Sequence, residues 1–92
     1  MIKSFRHGGL KEFFETGSKR GIPPELAARI ARRLDVLEAA QRLTDIDAHG
    51  FNLHRLKGKR QGAWALSVSG NWRITFGFAN GEVEDIDLED YH

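Results

Sequence analysis

Between residues 63 and 79 apolar side chains alternate with small or polar ones, and this period of two restricts the chain to folds built on a half-buried sheet. Trp64, Leu66 and Val68 are interleaved with small residues; Trp72, Ile74, Phe76 and Phe78 are interleaved with Arg73, Thr75, Gly77 and Ala79. A helix would scatter these side chains around its circumference, whereas a pleated strand puts each set on one face. Gly70-Asn71 separates the two runs, and Asn80-Gly81 separates the second from a third at residues 82–88. Asn-Gly is a strong hairpin signal because both central residues tolerate positive φ. An antiparallel three-strand meander is expected.

The first half of the chain has a different period. Residues 2–6 read as a short strand stopped by Gly8-Gly9. Leu10, Phe13 and Phe14 then sit one helical turn apart, and Gly17 supplies a stop, so a helix is expected over 8–17. Pro23-Pro24 opens the next element, since proline in a first helical turn gives up no hydrogen bond. Leu26, Ile30, Leu34 and Leu37 form one stripe, flanked by Ala27 and Ala31, on an amphipathic helix over 24–40. Arg29, Arg32, Arg33 and Glu38 fall on its other side and read as a solvated face. A further short turn runs to Asp47. The predicted order is β-α-α-β-β-β, an α+β domain with the meander packed against two helices.

The 92 residues make one small domain, 1–92, with no room for a second core. Apolar and charged fractions of 40% and 29% place it among folded chains rather than disordered ones. With no cysteine, disulfides, thiolate metal sites and a cysteine nucleophile are excluded. Charged residues interrupt positions 1–11, unlike a signal peptide, and no stretch approaches the roughly 18 apolar residues of a membrane helix. The cytoplasm is the expected location, with no membrane partner.

A net charge of +1 conceals an uneven distribution. Residues 48–81 carry Arg55, Lys57, Lys59, Arg60 and Arg73 with no acid, while residues 82–92 carry six acids and no Lys or Arg. Two readings follow: intramolecular neutralisation, or a phosphate-binding face with carboxylates folded beside it. Composition leaves both open.

Four features bear on chemistry. Residues 53–62 form a basic loop with two glycines, the composition that lets backbone N–H groups and cations approach a phosphate, although most such loops are simply solvated. His54 lies in that loop, and imidazole is the natural proton-transfer group near neutral pH. If Trp72, Ile74, Phe76 and Phe78 face the helices, Arg73 and Thr75 point to the opposite, uncovered face. There Arg73 forms either a salt bridge to a neighbouring-strand acid such as Glu84 or a guanidinium clamp on a phosphoryl oxygen. Finally, Asp90, Tyr91 and His92 present a carboxylate, a stacking aromatic and an imidazole directly after the last strand. One Asp and two His lack the spacing of a metal motif.

The string Leu53-His54-x-Leu56-Lys57-Gly58-x-Arg60-x-Gly62-x-Trp64, then Asn71-Trp72-Arg73-Ile74-x-Phe76-x-Phe78, then Asp90-Tyr91-His92, resembles the HigB-type killer proteins of the RelE toxin superfamily. The opening Ile2-Lys3-Ser4-Phe5 and the helix pair match as well, so the resemblance spans essentially the whole chain. It implies a RelE-like microbial ribonuclease fold and a toxin that cuts messenger RNA in the A site of the 70S ribosome. It also implies inhibition by a helix-turn-helix antitoxin of the HigA type, with operator DNA bound only by the pair. Carried over by position, the functional residues are His54, Lys57, Arg73, Asp90, Tyr91 and His92; the charge of the basic loop adds Arg55, Lys59 and Arg60 as candidate phosphate contacts. Position 65 holds Ala where many relatives have Ser.

The chemistry these residues permit is cleavage without metal or cofactor. The ribose 2′-OH attacks phosphorus, a base takes its proton, an acid protonates the leaving 5′-oxygen, and cations hold the phosphorane charge. His54 and His92 are expected to transfer protons, Asp90 to orient or supplement one of them, Arg73 and Lys57 to hold phosphate, and Tyr91 to stack on a base. The alternative is a non-catalytic RNA- or partner-binding module of the same fold. DNA binding through the helix pair is weaker, because the 17–24 connection exceeds the turn of a helix-turn-helix.

Overall fold

A computed structural model describes residues 1–60 and 62–91. Helix α1 spans Gly8–Thr16. Its N-terminus is capped by His7, whose Nδ1 accepts from the Leu10 N–H at 3.0 Å, and it ends at Gly17, φ 80°, whose N–H donates to the Phe13 carbonyl at 2.8 Å. The expected helix over 24–40 is a 3₁₀ turn, Pro24–Leu26, leading into α2, Ala27–Ala39. Both prolines lie ahead of α2 proper, where their missing donors cost nothing. The turn towards Asp47 is a short helix, α3, Leu43–Asp47.

The sheet has four antiparallel strands in the order β1 (His54–Arg55), β2 (Ala63–Ser69), β3 (Trp72–Ala79) and β4 (Glu82–Asp90). Alternation works as expected on one face. Leu66, Ile74, Phe76, Ile86 and Leu88 are buried together with Leu10, Ile30, Leu34 and Leu37 of the helices. Burying such side chains is worth about 1.5–3 kcal/mol each, so this seam dominates the stability of so small a fold.

The outer face is not open. Thr75, expected to point to solvent, is 3% exposed, and Ala65 beside it is fully buried. The β1–β2 connection, part of the expected basic loop, turns back over them through a 3₁₀ turn, Gly58–Arg60, with Leu56 tucked inward. Arg33 of α2 is likewise not a freely solvated side chain but half-buried. Its Nε donates to the Ser67 carbonyl at 2.7 Å and its guanidinium lies 4.2 Å from the Phe51 ring centre, which holds the helix on β2.

Residues 2–6 are not a continuous strand. Ile2 and Phe5 make only isolated parallel bridges, to Val83 and Ile86. The cause lies in β4, where the register against β3 shifts between Thr75 and Gly77 and Asp85 adopts φ 54°. This bulge interrupts the edge that the N-terminal segment would pair with. Ser4 bridges the break: its Oγ accepts from the Asp85 N–H at 2.9 Å and its carbonyl from the Ile86 N–H at 3.2 Å. Among the described residues, no helix is long and apolar enough to cross a membrane.

Candidate functional site

Strand register assembles the site on the outer face. Ser67, Arg73 and Glu89 lie directly across from one another on β2, β3 and β4, and His54, Ala65, Thr75 and Asp87 form the next row. Partners in register project to the same side of a sheet, so His54, Arg73 and Glu89 share a face. Two strand spacings and two residues separate His54 from Arg73, a Cα distance of about 12 Å. Side chains of these lengths can converge on one phosphodiester.

Arg73 is held in two directions. Its Nε and Nη2 each lie 3.1 Å from Glu89 Oε1, and its guanidinium carbon stands 4.0 Å from the centre of the Tyr91 ring. The Arg73 side chain is 15% exposed, while Tyr91 is 46% exposed. Tyr91 is placed by its own backbone, which donates to the Asn71 carbonyl at 3.0 Å in the β2–β3 turn. The expected partner Glu84 is not the one observed. Glu84 lies across from Gly77 and pairs with Lys3 at 3.7 Å.

Glu89 also receives Arg60. Arg60 Nη1 donates to Oε1 at 2.8 Å and Nη2 pairs with Oε2, closing a bidentate contact from the basic loop onto the sheet. The hydrogen bond from Arg60, then that from Arg73, holds the Glu89 carboxyl below the ordinary glutamate value against the opposing effect of burial. Glu89 in turn raises the Arg60 pKa. Neither the basic middle nor the acidic end of the sequence singles out this residue. A signal for its register was nevertheless there: Val83, Ile86 and Leu88, all buried, are spaced by three and then two. That spacing breaks strict alternation and marks a bulge, which moves Glu89 rather than Leu88 opposite Arg73.

His54 is half-buried in β1. Its Nδ1 is 2.8 Å from the Asn52 carbonyl. A carbonyl can only accept, so Nδ1 donates, and in the neutral ring Nε2 is then the basic nitrogen. Asn52, at φ 59°, is tied to β2 by its Nδ2, which donates to Ser67 Oγ at 3.0 Å.

The remaining sequence candidates divide. Lys57 and Arg55 line a cleft of about 410 Å³ with Leu56 and Gly58. Arg55 pairs in register with Trp64 and lies 5.4 Å from its ring centre, on the side of the sheet away from Arg73. Lys59 and Arg60 border a second cleft, about 240 Å³, over Thr75. Asp90 is across from Trp72, one position out of phase with Arg73 and Glu89, and so leaves the strand towards the other face. His92 lies outside the described residues. The structure thus brings together Arg73, Tyr91 and Arg60 through Glu89, places His54 on the same face, and does not put Arg55 or Asp90 there.

Comparison with known proteins gives a consistent result. Residues 3–92 match the family model of HigB-like toxins, described as the RelE-like toxin of the type II toxin–antitoxin system HigB. A Proteus vulgaris protein named Endoribonuclease HigB is 45% identical over 92 residues, covering 100% of both chains. Toxin HigB-1 of Vibrio cholerae is 28% identical over 83 residues, 88% of this chain and 87% of its own. An uncharacterized protein of Haemophilus influenzae is 28% identical over 87 residues, 92% of this chain and 86% of its own.

Proposed function

The chain belongs to the HigB-like family of RelE-like toxins of type II toxin–antitoxin systems, and on that premise we propose that it cuts messenger RNA in the ribosomal A site. Its activity is that of an endoribonuclease, and its partner is an antitoxin. The observation that carries the site is Arg73, clamped between Glu89 and Tyr91 on the face that also bears His54. An anchored guanidinium beside an imidazole with a basic Nε2 suits phosphoryl transfer at RNA.

In the proposed reaction the 2′-oxygen bonds to phosphorus and the bond to the 5′-oxygen breaks, leaving a 2′,3′-cyclic phosphate and a free 5′-OH. His54 and His92 divide the proton transfers: one accepts from the 2′-OH and the other donates to the departing 5′-oxygen. Arg73 stabilises the charge that develops on the non-bridging oxygens, and Lys57 adds a second cation. Tyr91, half-exposed under Arg73, offers a stacking surface to a base. Asp90 is assigned to orient or supplement one of the histidines. The antitoxin in this reading is a helix-turn-helix protein of the HigA type, with operator DNA bound by the pair.

Primer extension on a translated message, with and without ribosomes, tests the reading. Cuts within codons are expected only when ribosomes are present. Equal cutting of naked RNA at matched concentration would overturn the dependence on the ribosome, and no cutting in either case would overturn the catalytic reading.

A further inference from the structure

Arg60 and Arg73 come from different parts of the chain, one from the connection before β2 and one from the middle of the sheet, yet they meet on a single carboxylate. Glu89 is 22% exposed, so this is neither a loose surface pair nor a buried one. The two arginines and one glutamate leave one net positive charge on the outer face. The geometry about Arg73 is more restrictive than an ion pair requires. Glu89 holds one edge of the guanidinium through Nε and Nη2, and Tyr91 underlies its plane. An edge and a plane together fix the orientation of a planar group, which a chain of rotatable methylenes would otherwise leave free. The same carboxylate latches the 3₁₀ turn Gly58–Arg60, which contains Lys59 and follows Lys57, to β4.

We infer that Glu89 is a positioning residue for cleavage: its carboxylate aims Arg73 at the scissile phosphate and holds the basic loop over the same face. The inference rests on the functional reading above and adds to it a residue that touches no substrate atom. Preorganisation explains why an acid belongs in a site for a polyanion. The repulsion it introduces is outweighed by two cations fixed before RNA arrives, instead of ordered at each turnover.

The test is a double-mutant cycle on ribosome-bound message, comparing wild type, Glu89→Gln, Arg73→Ala and the double variant in single-turnover rate, with thermal unfolding of each. Glu89→Gln keeps the shape and removes the charge. It should cut roughly ten-fold more slowly, with half-saturation no higher than wild type, since misorientation and not binding is at fault. In the Arg73→Ala background the same change should have no further effect, because Glu89 acts through Arg73. A merely structural role would lower the folded fraction in both backgrounds alike. Arg73→Lys serves as the second background if the alanine variant does not fold.

A readout independent of cleavage is hydrogen exchange of the Arg73 Nε–H in the isolated protein, which should quicken in Glu89→Gln. A rate equal to or above wild type, a loss that persists undiminished without Arg73, or unchanged exchange would each overturn the inference. If wild type itself does not cut, the functional reading falls, and exchange alone then decides whether Glu89 orients Arg73.

Discussion

An arginine gripped along one edge by Glu89 and underlain by Tyr91 presents a positive charge of fixed position. Replacing Arg73 with alanine should therefore lower cleavage of ribosome-bound message by roughly 10²–10³-fold, the usual effect of losing one donor to a developing oxyanion. Stability should fall by no more than about 1 kcal/mol, because Glu89 keeps Arg60 as its partner. A folded variant that cuts at the wild-type rate would mean that Arg73 serves the sheet alone. Glu89 makes a separate prediction through its proton. Its folded pKa lies below the ordinary value of 4.5, so the unfolded chain binds the proton more readily. The stability it contributes is complete above that value and is lost as pH falls through the folded pKa. On acidification past 4.5 the melting temperature of wild type should fall more steeply than that of Glu89→Gln. Asp45, whose pKa is also lowered, by hydrogen bonds from the Gln41 and Arg42 backbones, is common to both proteins and cancels in the comparison. Parallel curves would show that the two arginines do not act on Glu89 in solution.

At the scale of elements, the fold depends on one close crossing and one irregular strand. Gly9 in the first turn of α1 meets Gly21 of the connection to α2 so tightly that a Cβ on Gly9 would stand 2.7 Å from the Gly21 carbonyl carbon. Backbone on both sides leaves no flexible side chain to yield. Gly9→Ala should destabilise by about 1–3 kcal/mol, measured as a lower urea midpoint. Gly8→Ala, whose new Cβ would meet nothing within 4 Å, is the control and should leave the midpoint nearly unchanged or slightly raised. Equal effects at the two positions would show that the crossing is not tight. The irregular strand is β4. Its bulge at Asp85 switches Glu89 into phase with Arg73 and sends the N-terminal segment past its edge in two short bridges.

Across the whole molecule, the uneven charge is neutralised within the chain only in part. Glu89 neutralises within the chain, while Lys57 and Lys59 remain exposed on the connection before β2 and Arg55 at the end of β1. A body of 30 × 29 × 23 Å offers an extended RNA little surface, and in the proposed function positioning of the message falls to the ribosome. Binding to ribosomes should weaken steeply as salt rises, because each phosphate contact releases a counterion. Lys57→Ala combined with Lys59→Ala should reduce the slope of log affinity against log salt by roughly two. An unchanged slope would remove the basic loop from the ribosomal contact.

What the sequence determined by itself is what local physics controls. Period-two alternation and the Asn80-Gly81 turn specify the meander. The Leu26-to-Leu37 stripe specifies the buried face of α2, and Gly17 specifies the end of α1. Arg73 was legible as an outward-facing residue for the same reason, since alternation assigns faces, whereas His54 read as part of a loop and gains its face only by pairing with Ala65 in β1. The partners of those residues were not legible. Whether Arg73 lies across from Leu88 or Glu89 turns on one bulge, and whether Thr75 is open or covered turns on how the connection before β2 folds back. Arg33 reads as solvated on a helical wheel and is pinned to the Ser67 carbonyl and the Phe51 ring only because β2 passes beneath it. Alternation and helical period say which side a residue leaves from. Register shifts and loop closure, which depend on contacts distant in sequence, decide what it meets there.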